Sequence, residues 1–141
     1  MRDIQLVLER WGGWAANEDS GVGYSPIAAG FKGLLPSTTK SRLSCCDNDG
    51  LLVDAAVGQL KARRLTHEYS LICLHYICGV SKRQIAKRYK VSEGRVRQQM
   101  QVAEGFIDGC LAMTGAVLEM DSYTQSRHIN ENDKKGLVRY A

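Results

Sequence analysis

The sequence is poor in the features that mark several large classes of protein. Only two prolines occur among its 141 residues, which excludes a collagen-like or proline-rich chain. No apolar run approaches the roughly 18 residues that a membrane-spanning helix needs. Residues 1–5 include an acid, and no long apolar core follows a basic lead, so the start of the chain does not resemble a secretory signal. We therefore expect a cytoplasmic protein without a membrane partner.

The five cysteines are an odd number, and none is paired with another at the C-x-x-C spacing. This pattern disfavours both a disulfide framework and a zinc site closed by four thiolates, so we expect reduced thiols and no bound metal. Two weaker alternatives stay open. Cys45, Cys46 and Asp47 could bind a metal with remote ligands, and His67 and His75 lie two helical turns apart. Packed or solvated side chains are the simpler interpretation of both sets.

Catalytic signatures are missing as well. The sequence has no glycine-rich phosphate-binding loop after a strand and no recognisable set of nucleophile, base and orienting acid. With 44% apolar residues, the chain is large enough for one globular domain with a modest core, and it is too short for most multidomain enzymes. We predict that the protein is not an enzyme and uses no cofactor.

Positive charge is concentrated in the middle of the chain, although the net charge is only +4. Residues 61–100 contain ten basic and two acidic residues, a balance of +8, whereas the remainder has a balance of −4. The basic residues of this segment are Lys61, Arg63, Arg64, Lys82, Arg83, Lys87, Arg88, Lys90, Arg95 and Arg97. Such a segment can be a solvated helix surface, but it also suits a polyanion such as a nucleic acid.

Apolar residues recur at spacings of three and four, which predicts an all-α fold. Five helices are predicted. The first covers residues 3–17, and the second runs from Asp49 to about residue 64. The third runs from a cap at Thr66 to a stop at Gly79, the fourth begins at Ser81, and the fifth runs from Ser92 to about Met120. Residues 18–48 are predicted to be a long irregular loop, and residues 121–141 a mobile polar tail. The predicted helical domain is therefore residues 1–120.

Two of these helices carry clear start signals. Ser81 and Gln84 match the capping box, in which a hydroxyl and a side-chain amide each bond a backbone amide at the helix start. Ser92 offers a second N-cap. Two capped helices with a short connection have the layout of a helix-turn-helix, with its core at about residues 66–105. The glycine that such turns often contain is replaced here by Lys90.

In a helix-turn-helix the second helix enters the major groove of DNA. The residues on it that are predicted to read bases are Glu93, Arg95, Arg97, Gln98 and Gln101. Arginine can pair with guanine, glutamine with adenine, and glutamate with the cytosine amine. The predicted phosphate contacts are Lys82, Arg83, Lys87, Arg88, Lys90 and Ser92. A helix pair with a purely structural role is the alternative.

Residues 91–98, with the sequence VSEGRVRQ, follow the predicted helix segment 67–86. Together they resemble region four of bacterial sigma factors, which reads promoter DNA. In the housekeeping sigma factor, the positions that match Arg95, Arg97 and Gln98 carry the same residue types and face the DNA. The two residues before Arg95 depart from that pattern, so the resemblance does not imply which bases are read. A promoter-melting region is missing, so the chain is not a working sigma factor.

Several further segments match one family, and they are residues 1–5, 7–12, 25–37 (SPIAAGFKGLLPS), 103–107 and 109–111. Through them nearly the whole chain resembles the Q-type late-gene antitermination proteins of lambdoid phages, in the phage-21-like branch. The cysteine set that binds zinc in the lambda-type branch is missing. The resemblance therefore implies no metal.

This resemblance implies a mechanism. Such proteins bind a double-stranded DNA element near the phage late promoter and load onto paused bacterial RNA polymerase that holds its sigma factor. They then travel with the polymerase past terminators, and narrowing of the RNA exit channel, close to the nascent RNA, is the proposed route. The implied location is the nucleoid in the cytoplasm of the bacterial host. A second copy could occupy an adjacent DNA site, because one small motif reads few base pairs.

Two other functions stay open on the sequence. The chain could be a repressor or activator that occupies an operator and never travels with polymerase. It could also be an anti-sigma-like module that binds polymerase without any affinity for DNA. Retention on elongating polymerase tests the first alternative, and salt-dependent binding to duplex DNA tests the second.

Overall fold

The computed structural model describes residues 2–17 and 42–124, and its regular secondary structure is helical, which confirms the predicted all-α class. The helices are α1 (Ile4–Asn17), α2 (Asp47–Ala62), α3 (Thr66–Ile72), α4 (Lys82–Tyr89) and α5 (Glu93–Met113). A π-helical turn, Cys73–Ile77, continues α3, and a 3-10 helix, Glu119–Ser122, follows α5. Within the described ranges, no helix is long and apolar enough to cross a bilayer.

Helix α5 is the central element, because it packs against α1, α2, α3 and α4. Its buried apolar residues recur every three or four positions, as the sequence predicted, and they are Val96, Met100, Ala103, Ile107 and Leu111. The opposite side of the helix is left without core contacts. In its N-terminal half, that side carries the polar and basic residues that the sequence singled out.

Helix α2 begins at Asp47, two residues before the predicted start. The thiol of Cys46 caps it by accepting a hydrogen bond from the amide of Asp49 at 3.5 Å. The predicted loop therefore ends earlier than residue 48, and residues 42–46 form its described, irregular end. The rest of that loop lies outside the described residues. Cysteine is not among the usual N-cap residues, which is why the pattern did not reveal this start.

The predicted cap at Thr66 is wrong, because Thr66 is the first residue of α3 and Leu65 precedes it without a side-chain cap. The chain leaves α2 through Arg64 in the left-handed conformation (φ 65°). The amide of Leu65 then donates to the carbonyl of Leu60 at 2.8 Å. This tight connection places Thr66 inside the first turn of α3. The predicted stop at Gly79 is confirmed, since its φ is 74°.

Helix α5 ends at Met113, so the prediction that it continues to about Met120 is wrong. Gly115 adopts a φ of 67°, and the amide of Ala116 donates to the carbonyl of Leu111 at 3.1 Å. This is the Schellman stop, which glycine favours because it has no Cβ. The chain then turns back, and Leu118 is buried against the core.

The four residues after Met120 are ordered on the domain, whereas the sequence assigned them to the polar tail. Asp121 accepts a hydrogen bond from Arg2 Nε at 2.7 Å, and the carbonyl of Thr124 accepts one from the amide of Asp3 at 2.6 Å. Thr124 is fully buried. The start of the chain and this segment therefore hold each other in place, and the remainder of the predicted tail lies outside the described residues.

The Arg2–Asp121 ion pair makes the free energy of unfolding depend on pH. Burial alone would raise the pKa of Asp121, but hydrogen bonds from Arg2 and the Leu118 amide hold that pKa below its ordinary value. The pair therefore adds stability above the unfolded-state pKa of about 3.9 and loses it as pH falls through the lower folded-state pKa. We expect Asp121→Asn to reduce the free energy of unfolding by about 1–2 kcal/mol at pH 7, and by less near pH 3. Urea titrations between pH 3 and pH 7 measure the free energy of unfolding of both proteins. Equal losses at pH 3 and at pH 7 would contradict a stabilising role for the ionised Asp121.

Candidate nucleic-acid interface

Helix α4 begins where the capping box predicts. The hydroxyl oxygen of Ser81 accepts from the amide of Gln84 at 3.1 Å, and the side-chain oxygen of Gln84 accepts from the amide of Ser81 at 3.3 Å. Ile85 and Ala86 are the buried residues of α4, which packs mainly on α5. The remaining polar side chains of this short helix are therefore directed away from the core.

In the turn after α4, Lys90 takes the place of the glycine that such turns often contain. Lys90 adopts the left-handed conformation, with φ 58° and ψ 44°, at the position where a glycine would be expected. The amide of Val91 then donates to the carbonyl of Ala86 at 3.0 Å. The turn thus has the backbone form that the motif needs, although a lysine adopts it at a cost in strain.

Helix α5 begins at the second predicted cap. The hydroxyl oxygen of Ser92 accepts a hydrogen bond from the amide of Arg95 at 3.1 Å. We call residues 81–101 the basic helix pair: α4, the turn, and the first half of α5. It contains seven basic residues and a single acidic one. The layout of two capped helices with a short turn agrees with the sequence, while its kinship to sigma region four stays a prediction.

The structure places four of the five predicted base-reading residues on the exposed side of α5. These residues are Arg95, Arg97, Gln98 and Gln101. Their common helix is anchored to the core at Val96 and Met100, both fully buried. The exposed side chains are therefore carried on a rigid element, which is a requirement for reading bases.

Glu93, the fifth predicted reading residue, is engaged within the helix. Its Oε2 accepts from Arg97 Nε at 3.1 Å and lies 3.1 Å from Arg97 Nη2, one helical turn further on. Side-chain exposure is 39% for Glu93 and 55% for Arg97, so both groups remain accessible. The carboxylate thus orients the guanidinium and offsets its charge in the isolated protein.

The predicted phosphate-contacting residues surround this helix. Arg83, Lys87, Arg88, Lys90 and Ser92 are exposed, and Lys82 is half-buried. Among the residues described, the two ion pairs are Arg2–Asp121 and Glu93–Arg97, so the five predicted cations of α4 and the turn are not neutralised by a carboxylate there. An uncompensated cluster of this kind attracts a polyanion.

One contact at this surface was not apparent from the sequence. His67, in the first turn of α3, has its Nε2 3.3 Å from Gln99 Oε1 of α5, and its ring centroid lies 5.5 Å from that of Tyr89. The sequence favoured a packed or solvated histidine, with a metal site as the weaker alternative. These residues are 22 and 32 positions apart from it in the chain, so no local pattern could have joined them. The start of α3 therefore borders the basic helix pair.

The structure leaves all five cysteines unpaired. Cys46, Asp49 and Glu119 come together, with their ligand atoms within 4.8 Å of one another. The carboxylate of Asp49, however, accepts from the amides of Glu119 at 2.8 Å and Met120 at 3.0 Å. The Asp49 side chain therefore joins the start of α2 to the 3-10 helix.

Cys45, Cys46 and Asp47 are the alternative metal-binding set, and two of them bond different residues in the structure. Asp47 Oδ1 accepts a hydrogen bond from the indole of Trp14 at 2.9 Å. Burial raises the pKa of the Cys45 thiol to about 11, and a hydrogen bond with Glu119 raises the pKa of the Cys46 thiol. Asp47 and Cys46 therefore have separate partners, Trp14 and Glu119, while Cys45 is half-buried.

Fold and surface together define a small all-α protein whose recognisable feature is an exposed basic helix pair. A model of the family described as phage antitermination protein Q matches residues 1–119. The chain belongs to this family. The resemblance seen in the sequence is thereby confirmed, and the family is one of transcription regulators rather than enzymes.

Three relatives with antitermination names align with most of the chain. It is 53% identical over 120 residues to the probable antitermination protein Q of Acyrthosiphon pisum secondary endosymbiont phage 1, covering 85% of this chain and 81% of that protein. It is 42% identical over 126 residues to antitermination protein Q of Escherichia phage 933W, with 89% and 86% covered. It is 43% identical over 121 residues to the prophage antitermination protein Q homolog QuuD of Escherichia coli K12, with 86% and 94% covered. No solved structure matches the chain.

Proposed function

We propose that this protein is a phage transcription antitermination factor that binds a double-stranded DNA element near the late promoter. From there it loads onto paused RNA polymerase that holds sigma, and it makes the polymerase read through terminators. Membership of the antitermination protein Q family supports the general activity. The uncompensated charge of the basic helix pair, residues 81–101, is the observation that carries the DNA-binding step.

The dimensions of the pair suit a DNA groove. An α-helix with its side chains is about 10–12 Å wide, and the major groove is about 12 Å wide, so α5 can enter it. Arg95, Gln98 and Gln101 then meet base edges. Arg83 and Lys87, one turn apart on the exposed side of α4, meet the phosphates beside the groove. A second copy on an adjacent site would add affinity, and this stays a prediction.

The step on polymerase needs surface and bulk rather than catalysis. Narrowing of the RNA exit channel would hinder formation of a terminator hairpin in the nascent RNA. A folded domain held at the channel mouth supplies the required excluded volume. The long loop at residues 18–48 and the polar tail at residues 121–141 are our candidate segments for polymerase contact, and both lie mostly outside the described residues.

A run-through assay tests the whole proposal. Purified host RNA polymerase with sigma would transcribe templates that carry the late promoter and a strong terminator, with and without the neighbouring DNA element. We expect the protein to increase run-through only on templates with the element, and to remain on elongating polymerase. Equal termination with and without the protein would contradict antitermination. Altered initiation without retention on polymerase would instead support the operator-binding alternative.

The Glu93–Arg97 pair predicts a measurable effect on specificity. Removing the carboxylate lessens repulsion of phosphates and releases the guanidinium from its fixed orientation. We therefore expect Glu93→Ala to bind random-sequence duplexes more tightly, while the preference for the cognate site falls about tenfold. Fluorescence anisotropy on both duplexes measures the two changes.

A double-mutant cycle separates two roles for Glu93. If Glu93 acts through Arg97, Glu93→Ala has little further effect on preference in an Arg97→Ala background. If Glu93 reads a base by itself, as the sequence predicts, the loss of preference is the same in both backgrounds. Equal losses would contradict the positioning role.

A further inference from the structure

Two residues other than glycine adopt the left-handed backbone conformation in the described part of the chain, and both are basic. They are Arg64 (φ 65°) and Lys90 (φ 58°). Each follows the end of a helix, where glycine is the common choice because it has no Cβ. At Gly79 and Gly115 the chain does use glycine for this conformation. At positions 64 and 90 the chain has a cationic residue instead, although its Cβ makes this conformation strained. This choice indicates that the positive charge has a function there.

The start of α3, within three residues of Arg64, contacts the basic helix pair. His67, three residues after Arg64, contacts both helices of the pair: Gln99 of α5 through its Nε2 at 3.3 Å and Tyr89 at the end of α4 through its ring. Gln99 lies one helical turn beyond Arg95. The connection from α2 to α3 therefore borders the half of α5 that is proposed to read bases.

This connection presents unneutralised charge. Lys61, Arg63 and Arg64 are all exposed. The Lys61 ammonium lies 5.7 Å from the ring centroid of Tyr69, which holds it against α3. Arg63 and Arg64 form no ion pair with any residue in the ranges 2–17 and 42–124. Two guanidinium groups are thus available at the border of the basic helix pair, and neither was among the predicted DNA contacts.

We propose that Arg63 and Arg64 bind backbone phosphates of the DNA duplex beside the bases read by α5. The inference rests on the proposed function, since it assumes that α5 lies in the major groove. That groove is bordered by phosphates, so cations next to the N-terminal half of α5 lie near a strand. The contact carries no sequence information, and it adds affinity on every duplex.

Arg64→Gly provides the sharpest test, because glycine removes the charge and suits the left-handed backbone. The probe is a fluorescently labelled duplex of random sequence, titrated by anisotropy at several salt concentrations. We expect about three- to tenfold weaker binding at low salt, and a log–log salt slope smaller by about 0.9 for each phosphate that the variant no longer binds. The midpoint of thermal unfolding should stay equal or rise. Lys90→Gly should show the same pattern.

Matched variants keep the result interpretable. Arg64→Asn, which also tolerates the left-handed conformation, should repeat the loss of affinity, and Arg64→Lys should restore most of it. Arg10→Gln is the control for general charge, because its guanidinium lies 4.6 Å from the ring centroid of Tyr123, outside the basic helix pair. Its salt slope should equal that of the parent.

Four outcomes would overturn the inference. Unchanged affinity and slope in Arg64→Gly and Arg63→Ala would show that these side chains do not touch DNA. A lower unfolding midpoint in Arg64→Gly with unchanged binding would show that Arg64 only stabilises the C-terminal end of α2. If the variants bind single-stranded RNA more weakly than the parent does but bind duplex DNA equally well, these charges contact RNA and not DNA. A parent protein without salt-dependent duplex binding would remove the proposed DNA-binding step itself, which is distinguishable from the other three results.

Discussion

Gly12→Ala should lower the free energy of unfolding by about 3 kcal/mol, the largest stability effect that we expect from one added methyl group. A Cβ at position 12 would collide with the backbone carbonyl of Tyr76, and would lie only 2.5 Å from its carbonyl carbon. Backbone in the π-helical turn cannot move aside as a flexible side chain can. The methyl group must therefore push α1 away from Cys73–Ile77.

Intrinsic helix propensity predicts the opposite sign. Alanine is favoured over glycine inside a helix by about 1 kcal/mol. Gly105, on the exposed side of α5, has no atom within 4 Å of the place where its Cβ would lie. Gly105→Ala should therefore raise the free energy of unfolding by about 0.5–1 kcal/mol. The two variants carry the same chemical change with opposite expected results.

Urea unfolding followed by circular dichroism measures both variants. Because small domains have about 5–15 kcal/mol of stability, Gly12→Ala should still fold in the cold but unfold at a clearly lower urea concentration. Equal stability of Gly12→Ala and the parent would show that α1 does not pack on the π-helical turn in this way. A similar loss of stability in Gly105→Ala would show that α5 has another partner at that position.

Arg95→Ala and Gln98→Ala should each cost about 1–3 kcal/mol of binding at the cognate DNA site, which is roughly a 5- to 150-fold loss. Both side chains are exposed on α5, and Arg95 forms no ion pair among the residues described. In the proposed complex with DNA, each substitution removes a bidentate pair of hydrogen bonds to a base, together with its discrimination against other bases. The preference for the cognate site should therefore relax at one base pair for each variant.

Arg88→Ala is the matched control for this experiment. It removes a charge of the same kind from α4, and so should weaken binding to cognate and scrambled duplexes by the same factor and reduce the salt slope. Footprinting of the late promoter region first locates the cognate site, and anisotropy then compares the duplexes. If Arg95→Ala binds both duplexes as the parent does, Arg95 does not read a base.

Local sequence patterns were sufficient where the responsible atoms are neighbours in the chain. The Ser81–Gln84 capping box and the Ser92 cap act over three residues, so their helix starts were predicted and confirmed. The apolar spacing along α5 likewise predicted which side is buried. The all-α class follows from these short-range signals.

Predictions failed where a backbone conformation overrides side-chain type. Thr66 has the chemistry of a cap, but the left-handed Arg64 and the bond from Leu65 to Leu60 already place it within α3. The apolar spacing continues past Gly115, yet α5 ends before it because Gly115 adopts the left-handed conformation, and Leu118 is buried after the chain reverses. Spacing alone cannot distinguish a longer helix from a buried return.

The sequence by itself determined the helical class, the two capped starts and the concentration of positive charge, because each depends on residue type and on spacing within a few positions. Only the tertiary structure decided that Gly12 must lack a side chain while Gly105 need not. It also decided that Glu93 is bound to Arg97, and that His67, three residues after Arg64, contacts Gln99 of α5. These facts depend on distances between separate parts of the folded chain, which close packing sets and no local pattern encodes.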